Sequence, residues 1–361
     1  MRELLSVVVM GLFLFSCSSD NEPENPSDYV EKLPQEFPEE MNRFQEADSI
    51  YFGHLGYQTV PLDGGIVLYD RQGQVILRIS SNGGIKQVVA RSGRGPGEMQ
   101  DILSLIKTAE EGILVYDQRN QKIIQFNDQL KYSEEFNVKP DDQNTISSAL
   151  PSDKENEFII ELSSYAYYMD RSREPERYLA QFNMETNTYG KKIVLKDRLI
   201  AMSESRAGGR TIPYTPIDLV HYSPKSETLF LHDTETSRIT EITSDFDTLQ
   251  TIYLNLPSQE LSPEERDSLK EDSGPRYEKS LEEKLPEIKT PVEEFKVDHR
   301  NRFWLRLNYR GTTQKWLVLD PEGEPLKIVH LPKGGMLTHI SPDHLGVRLD
   351  DVTFAVFKPV D

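Results

Sequence analysis

Tyrosines and arginines crowd two stretches of this 361-residue chain, and they are the groups best suited to chemistry at a surface. Residues 163–177 bring Tyr165, Tyr167 and Tyr168 together with Arg171, Arg173 and Arg177. Residues 191–210 hold six basic side chains (Lys191, Lys192, Lys196, Arg198, Arg206, Arg210) against two acidic ones (Asp197, Glu204), a local +4 in a chain of formal net charge −19. An aromatic face beside a guanidinium can stack on a sugar ring, pair with a carboxylate or hold a peptide. With Arg94 and Tyr214 added, the candidate ligand-binding set is Arg94, Tyr165, Tyr167, Tyr168, Arg171, Arg173, Arg198, Arg206, Arg210 and Tyr214. These groups form a recognition face or are solvated loop charges; residue types alone leave both readings open.

Seven histidines raise the question of metal or lyase chemistry. His221 and His339 occupy the same slot in two His-x-Ser-Pro sequences, and His299 sits near the matching turn of another repeat. That placement predicts turn and strand-end histidines rather than a metal set. The chain contains no His-Glu-x-x-His, no Gly-x-Ser-x-Gly and no EF-hand loop. No catalytic residue, metal ligand or cofactor is therefore assigned. Gly93-Arg-Gly-Pro-Gly-Glu98 lacks the Lys-Ser/Thr of a phosphate loop and no helical pattern follows it, so its glycines predict a structural crossover.

The elements that must position these groups are strands. Gly112-Ile-Leu-Val-Tyr-Asp117 followed by Ile123-Ile-Gln-Phe126 is one strand–turn–strand frame. Ile66 to Asp70 with Ile76 to Ile79 repeats it, and so does Leu229 to Asp233 with Ile239 to Ile242. In each, an Asp closes the first strand and five residues separate it from the next apolar run. A repeated four-strand unit that cannot bury its own faces predicts an all-β fold: a six-bladed β-propeller of four-stranded antiparallel blades. Blade six lacks an outer strand at the C-terminal end, and residues 48–54 are expected to supply it and close the ring.

In an antiparallel blade, the second-to-third turns and the crossovers between blades share one face. The long insertions at 163–176, 196–215 and 257–292 all fall there, which favours function on that face. The third is the one helical insertion, between blades four and five. Ser262-Pro-Glu-Glu265 makes a capping-box start, Gly274-Pro275 a stop, and residues 276–285 a second helix. Leu269, Tyr277, Leu281 and Leu285 are expected to lie on the propeller.

Net charge −19 and a pI of about 4.9 argue against a nucleic-acid partner. The single cysteine, Cys17, excludes an internal disulfide or a cysteine zinc site. Leu14-Phe-Ser-Cys17, after an apolar run, resembles the lipobox of bacterial lipoproteins, which implies cleavage before Cys17 and its lipidation. Multiple acyl chains there would anchor the protein stably. The expected organisation is a signal peptide at 1–16, a lipidated Cys17 with a disordered tether through 44, and the propeller at 45–361. Asp20, Glu22 and Glu24 resemble the export signal of surface-directed Bacteroidetes lipoproteins; a merely soluble linker is an open alternative.

Gly93 to Glu98 and Asp298-His-Arg-Asn-Arg-Phe-Trp-Leu305 resemble the six-bladed propeller lipoproteins of Bacteroidetes, themselves similar to NHL-repeat propellers. The resemblance covers 45–361 and implies fold and export to the outer membrane, periplasmic or cell-surface side, with no common activity and so no catalytic residues. The expectation is a lipid-anchored, non-catalytic module binding a small molecule, glycan, peptide or envelope protein. The alternative is a propeller-type hydrolase or lyase acting on a sugar or peptide.

Overall fold

The computed structural model describes residues 26–48, 50–141, 144–166, 175–203, 208–309 and 311–360. Six four-stranded antiparallel sheets make a six-bladed propeller. Their innermost strands, in order, are Leu55–Leu62, Ile102–Lys107, Asn144–Pro151, Asp218–Ser223, Val292–Val297 and Met336–Ile340. Each blade packs a neighbour on either face, so its second strand is covered on both sides. That is why Gly65–Asp70 and Ile113–Asp117 are buried throughout and read as continuous apolar runs rather than alternating ones.

The repeated Asp is a structural clamp. Asp117, fully buried, accepts N–H bonds from Gln100 and Asp101 of the incoming crossover and from Arg119 and Asn120 of its own turn, at 2.7–3.2 Å. Asp70 does the same for Gly53, His54 and Gln72. Asp233 holds Glu235 N and the Lys196 ammonium. One carboxylate thus satisfies several orphan donors and fixes both second strand and crossover.

Ring closure corrects the expectation for 48–54. The outer strand of blade six is Glu40–Phe44, antiparallel to Phe354–Phe357. Residues Glu46–Ala47 and Ile50–Tyr51 instead form a small hairpin, and Phe52 and Ala47 plug the seam between blades six and one. Ile50 and Phe52 serve the seam rather than a sheet edge. The N-terminal boundary moves as well. Helix Pro26–Lys32 buries Val30 against blade five, and Gln35–Glu36 adds a parallel strand to that blade's outer edge, so 26–44 belongs to the folded body rather than to a tether.

The helical insertion is built as the sequence predicts at its start: Ser262 caps Glu265 N, and the Glu265 side chain answers to Ser262 N. Helices Pro263–Ser273 and Glu278–Lys284 follow. Their apolar side does not lie on the blades. Leu261, Tyr277, Leu281 and Leu285 pack with Ala201 and Ile212 of the neighbouring long loop, whose Ile200–Met202 and Gly209–Thr211 pair as a hairpin. Two insertions therefore share a small core of their own.

Candidate binding site at the channel mouth

On the face bearing the long insertions, blades five and six enclose a concavity of about 700 Å³, with Tyr214 contributed by the loop before blade four. Glu293 and Glu294 open the inner strand of blade five, where a bulge lies between Val292 and Glu294. The bulge lets both carboxylates meet one cation: Arg306 Nη2 is 3.0 Å from Glu293 Oε1 and 2.7 Å from Glu294 Oε1. Arg348 of blade six donates to the Leu55 carbonyl at 2.6 Å, and its guanidinium lies 4.5 Å from the centre of the Tyr57 ring. Tyr57 is 57% exposed, an unusual state for an aromatic on an innermost strand. Glu293, Glu294 and Asp350 balance Arg306, Lys333 and Arg348, so the described lining is polar with no net charge.

Deeper along the inner strands stand His221, Lys296 and His339, of blades four, five and six. His221 is pushed down to about 3, by burial first and then by the charge of Lys296. His339 is held well below the usual histidine range by burial, with His344 and Lys296 adding to it. Burial also lowers Lys296, against the pull of Glu294. Both imidazoles are thus neutral at pH 7. Neither histidine is in a turn: His221 lies in the inner strand of blade four, opposite Phe230 of the next strand, and His339, near the end of its strand, is sealed between blades six and one. His299 does occupy a first-to-second-strand turn, beside Asp298. Among the described residues no three His, Cys, Asp or Glu groups are arranged to hold a metal.

The residues singled out from the sequence divide. Tyr214 lines the concavity with a left-handed backbone (φ 63°), the Lys289 ammonium 5.7 Å from its ring centre. Arg198 reaches the Glu293 carbonyl at 3.3 Å, beside that concavity. Arg210 instead donates to Asp272 O at 2.6 Å and ties the two insertions together. Arg94 is exposed on the crossover from blade one to two. There the glycine N–H groups are already engaged, Gly95 by Glu98 and Gly97 by Glu135. Tyr165 is exposed after the second strand of blade three. Tyr167, Tyr168, Arg171, Arg173, Arg206 and Cys17 lie outside the described residues.

The local positive excess is largely matched in space. Lys192 pairs with Asp141, Lys196 with Asp233 and Glu235, and Lys191 approaches Asp247 at 3.8 Å. Arg177 pairs with Glu161, whose own carboxyl burial pushes up against that arginine's pull.

Comparison with known proteins supports the fold alone. Neither family models nor curated protein sequences match this chain. Among solved structures, a member of the DUF4221 family from Bacteroides vulgatus is similar at 11% identity and a TM-score of 0.52, covering 89% of this chain and 96% of its own. A protein described as exported, from Bacteroides fragilis, aligns at 12% identity and 0.49, covering 91% and 99%.

Proposed function

We propose that the protein is a binding module that takes a polar small molecule, a sugar or short peptide, at the channel mouth between blades five and six. The observation that carries the reading is the pair of preassembled contacts there, Arg306 on Glu293 and Glu294, and Arg348 on Tyr57. Side chains already locked by neighbours lose little freedom on binding, and their remaining N–H and oxygen sites point at whatever enters. Tyr214 and Arg198 frame the same opening. Saturation-transfer NMR with a panel of saccharides and short peptides tests this. Ligands found should lose at least tenfold in affinity with Arg306→Ala; ligands indifferent to that change would place recognition elsewhere.

One observation favours the enzymatic alternative, a sugar or peptide hydrolase or lyase: His221, Lys296 and His339, on adjoining inner strands, have lowered protonation, and Lys296 acts on both imidazoles. Turnover of a bound ligand, abolished by His221→Ala, would decide for it. We further infer lipid attachment at Cys17 and display at the outer membrane. Incorporation of labelled palmitate, absent in Cys17→Ala, checks the attachment.

A further inference from the structure

We infer that Lys296 is the inner anchor of this site and takes a carboxylate, so that the ligand is an acidic small molecule entering carboxylate first. The inference rests on the mouth being a binding site. Glu294, Phe295 and Lys296 pair without interruption with Arg306, Leu305 and Trp304. Glu294 and Lys296 therefore leave the same face of the strand, and the amine sits one pleat, roughly 7 Å, beyond the mouth.

Lys296 is half-buried and forms no hydrogen bond or ion pair with any described residue. The carboxylate that acts on it, Glu294, is taken by Arg306 at 2.7 Å. His221 and His339 hold the equivalent position on either side. Each of the three stands two residues before a side chain (Ser223, Asp298, Ser341) that accepts N–H bonds in the following turn. The neutral imidazoles on either side add no counter-charge. A half-buried ammonium without an acceptor is unfavourable, and a carboxylate supplies both charge and acceptor. The mouth above has no net charge, so a polar body with one acidic end matches both levels.

The test uses the full chain, with sodium acetate as the smallest probe against sodium chloride at equal ionic strength. Melting temperature should rise saturably with acetate in the native protein. The rise should vanish in Lys296→Met and return in Lys296→Arg, which also controls for folding. Galacturonate should bind at least tenfold more tightly than galactose. An acetate response unchanged in Lys296→Met, or equalled by chloride, overturns the assignment. Equal affinity for the two sugars overturns it too, while leaving the mouth as a binding site. An acetate response with no affinity for either sugar supports Lys296 and counts against the mouth as a sugar site.

Discussion

The ring of His339 lies so close to Gly346, its partner across the strands of blade six, that a Cβ on Gly346 would overlap it. The ring has nowhere to move. Thr59 Oγ1 holds its Nδ1, Phe354 stacks on it at 6.2 Å, and His344 meets it edge-on at 5.0 Å. Gly346→Ala should therefore destabilise by about 1–3 kcal/mol, as overpacking does. Urea denaturation checks it, and a change below about 0.5 kcal/mol would mean the seam between blades six and one is softer than described.

Acid should unfold the protein through its buried imidazoles. Burial lowers His232 to about 4, against the opposing pull of the Arg238 backbone and of Asp233. The folded value lies below the unfolded value of about 6.5, so the unfolded chain binds more protons between them. Stability then rises with pH across that window and falls as pH drops from 6.5 towards 4. That ring alone contributes a slope of up to about 1.4 kcal/mol per pH unit. His232→Leu should flatten the stability–pH curve there; an unchanged slope would remove His232 from the explanation.

The aspartate clamp gives a prediction for the repeat itself. Asp117→Ala leaves four backbone N–H groups of two connections without their acceptor. The expected loss is about 2–4 kcal/mol, with Asp117→Asn in between because one oxygen survives. Hydrogen exchange at Gln100 and Asp101 should accelerate with the same substitutions, and protection equal to the native protein would show the crossover is held by something else.

This clamp is also the part of the fold most legible in sequence. An Asp at a fixed distance from two apolar runs marks a strand end, and strands buried on both faces announce themselves as unbroken apolar stretches. The closing strand was illegible for the opposite reason. Glu40–Phe44 reads Glu-Met-Asn-Arg-Phe, with no apolar run because it is an outer strand, whereas Ile50-Tyr-Phe52 looks like a strand and places Ile50 and Phe52 as a plug. Lys296 was missed because a lysine in a strand reads as a solvent-facing residue; that it faces a channel depends on six blades meeting around one axis. The arginines of the long loops were found, but their backbone partners, Glu293 and Asp272, lie 95 and 62 residues away in the chain.

Inside the insertion, Lys289 and Glu265 pair at 3.0 Å with side chains 2% and 7% exposed. Lys289→Met would strand a buried carboxylate, an effect of about 3–5 kcal/mol. Because this core is separate from the blades, the loss should appear as early exchange in 199–214 and 261–289, with the blades still protected. Uniform loss of protection would instead join the insertion to the propeller as one cooperative unit.

Removing residues 1–44 should open the ring, and removing 1–38 should leave it shut. Glu40–Phe44 completes blade six, and Phe44 packs on Phe354 at 5.6 Å. Thermal melting followed by circular dichroism should show a lower transition for both deletions, because both lose Val30 and the Gln35–Glu36 strand, and a further lowered, broader one for the longer deletion alone. Identical melts would mean the sheet edge at Phe354–Phe357 does not need its fourth strand.

Ahead of that strand the chain is clipped to blade five three times over: Val30 in its core, Glu36 on Lys327 at 2.9 Å, and Phe37 stacked on His330 at 4.1 Å. Any pull arriving from the N-terminal side is met first by these fastenings. They act as the strain relief on a cable does, so that such drag is taken up at a neighbouring sector before it can unzip the joint that keeps the wheel whole.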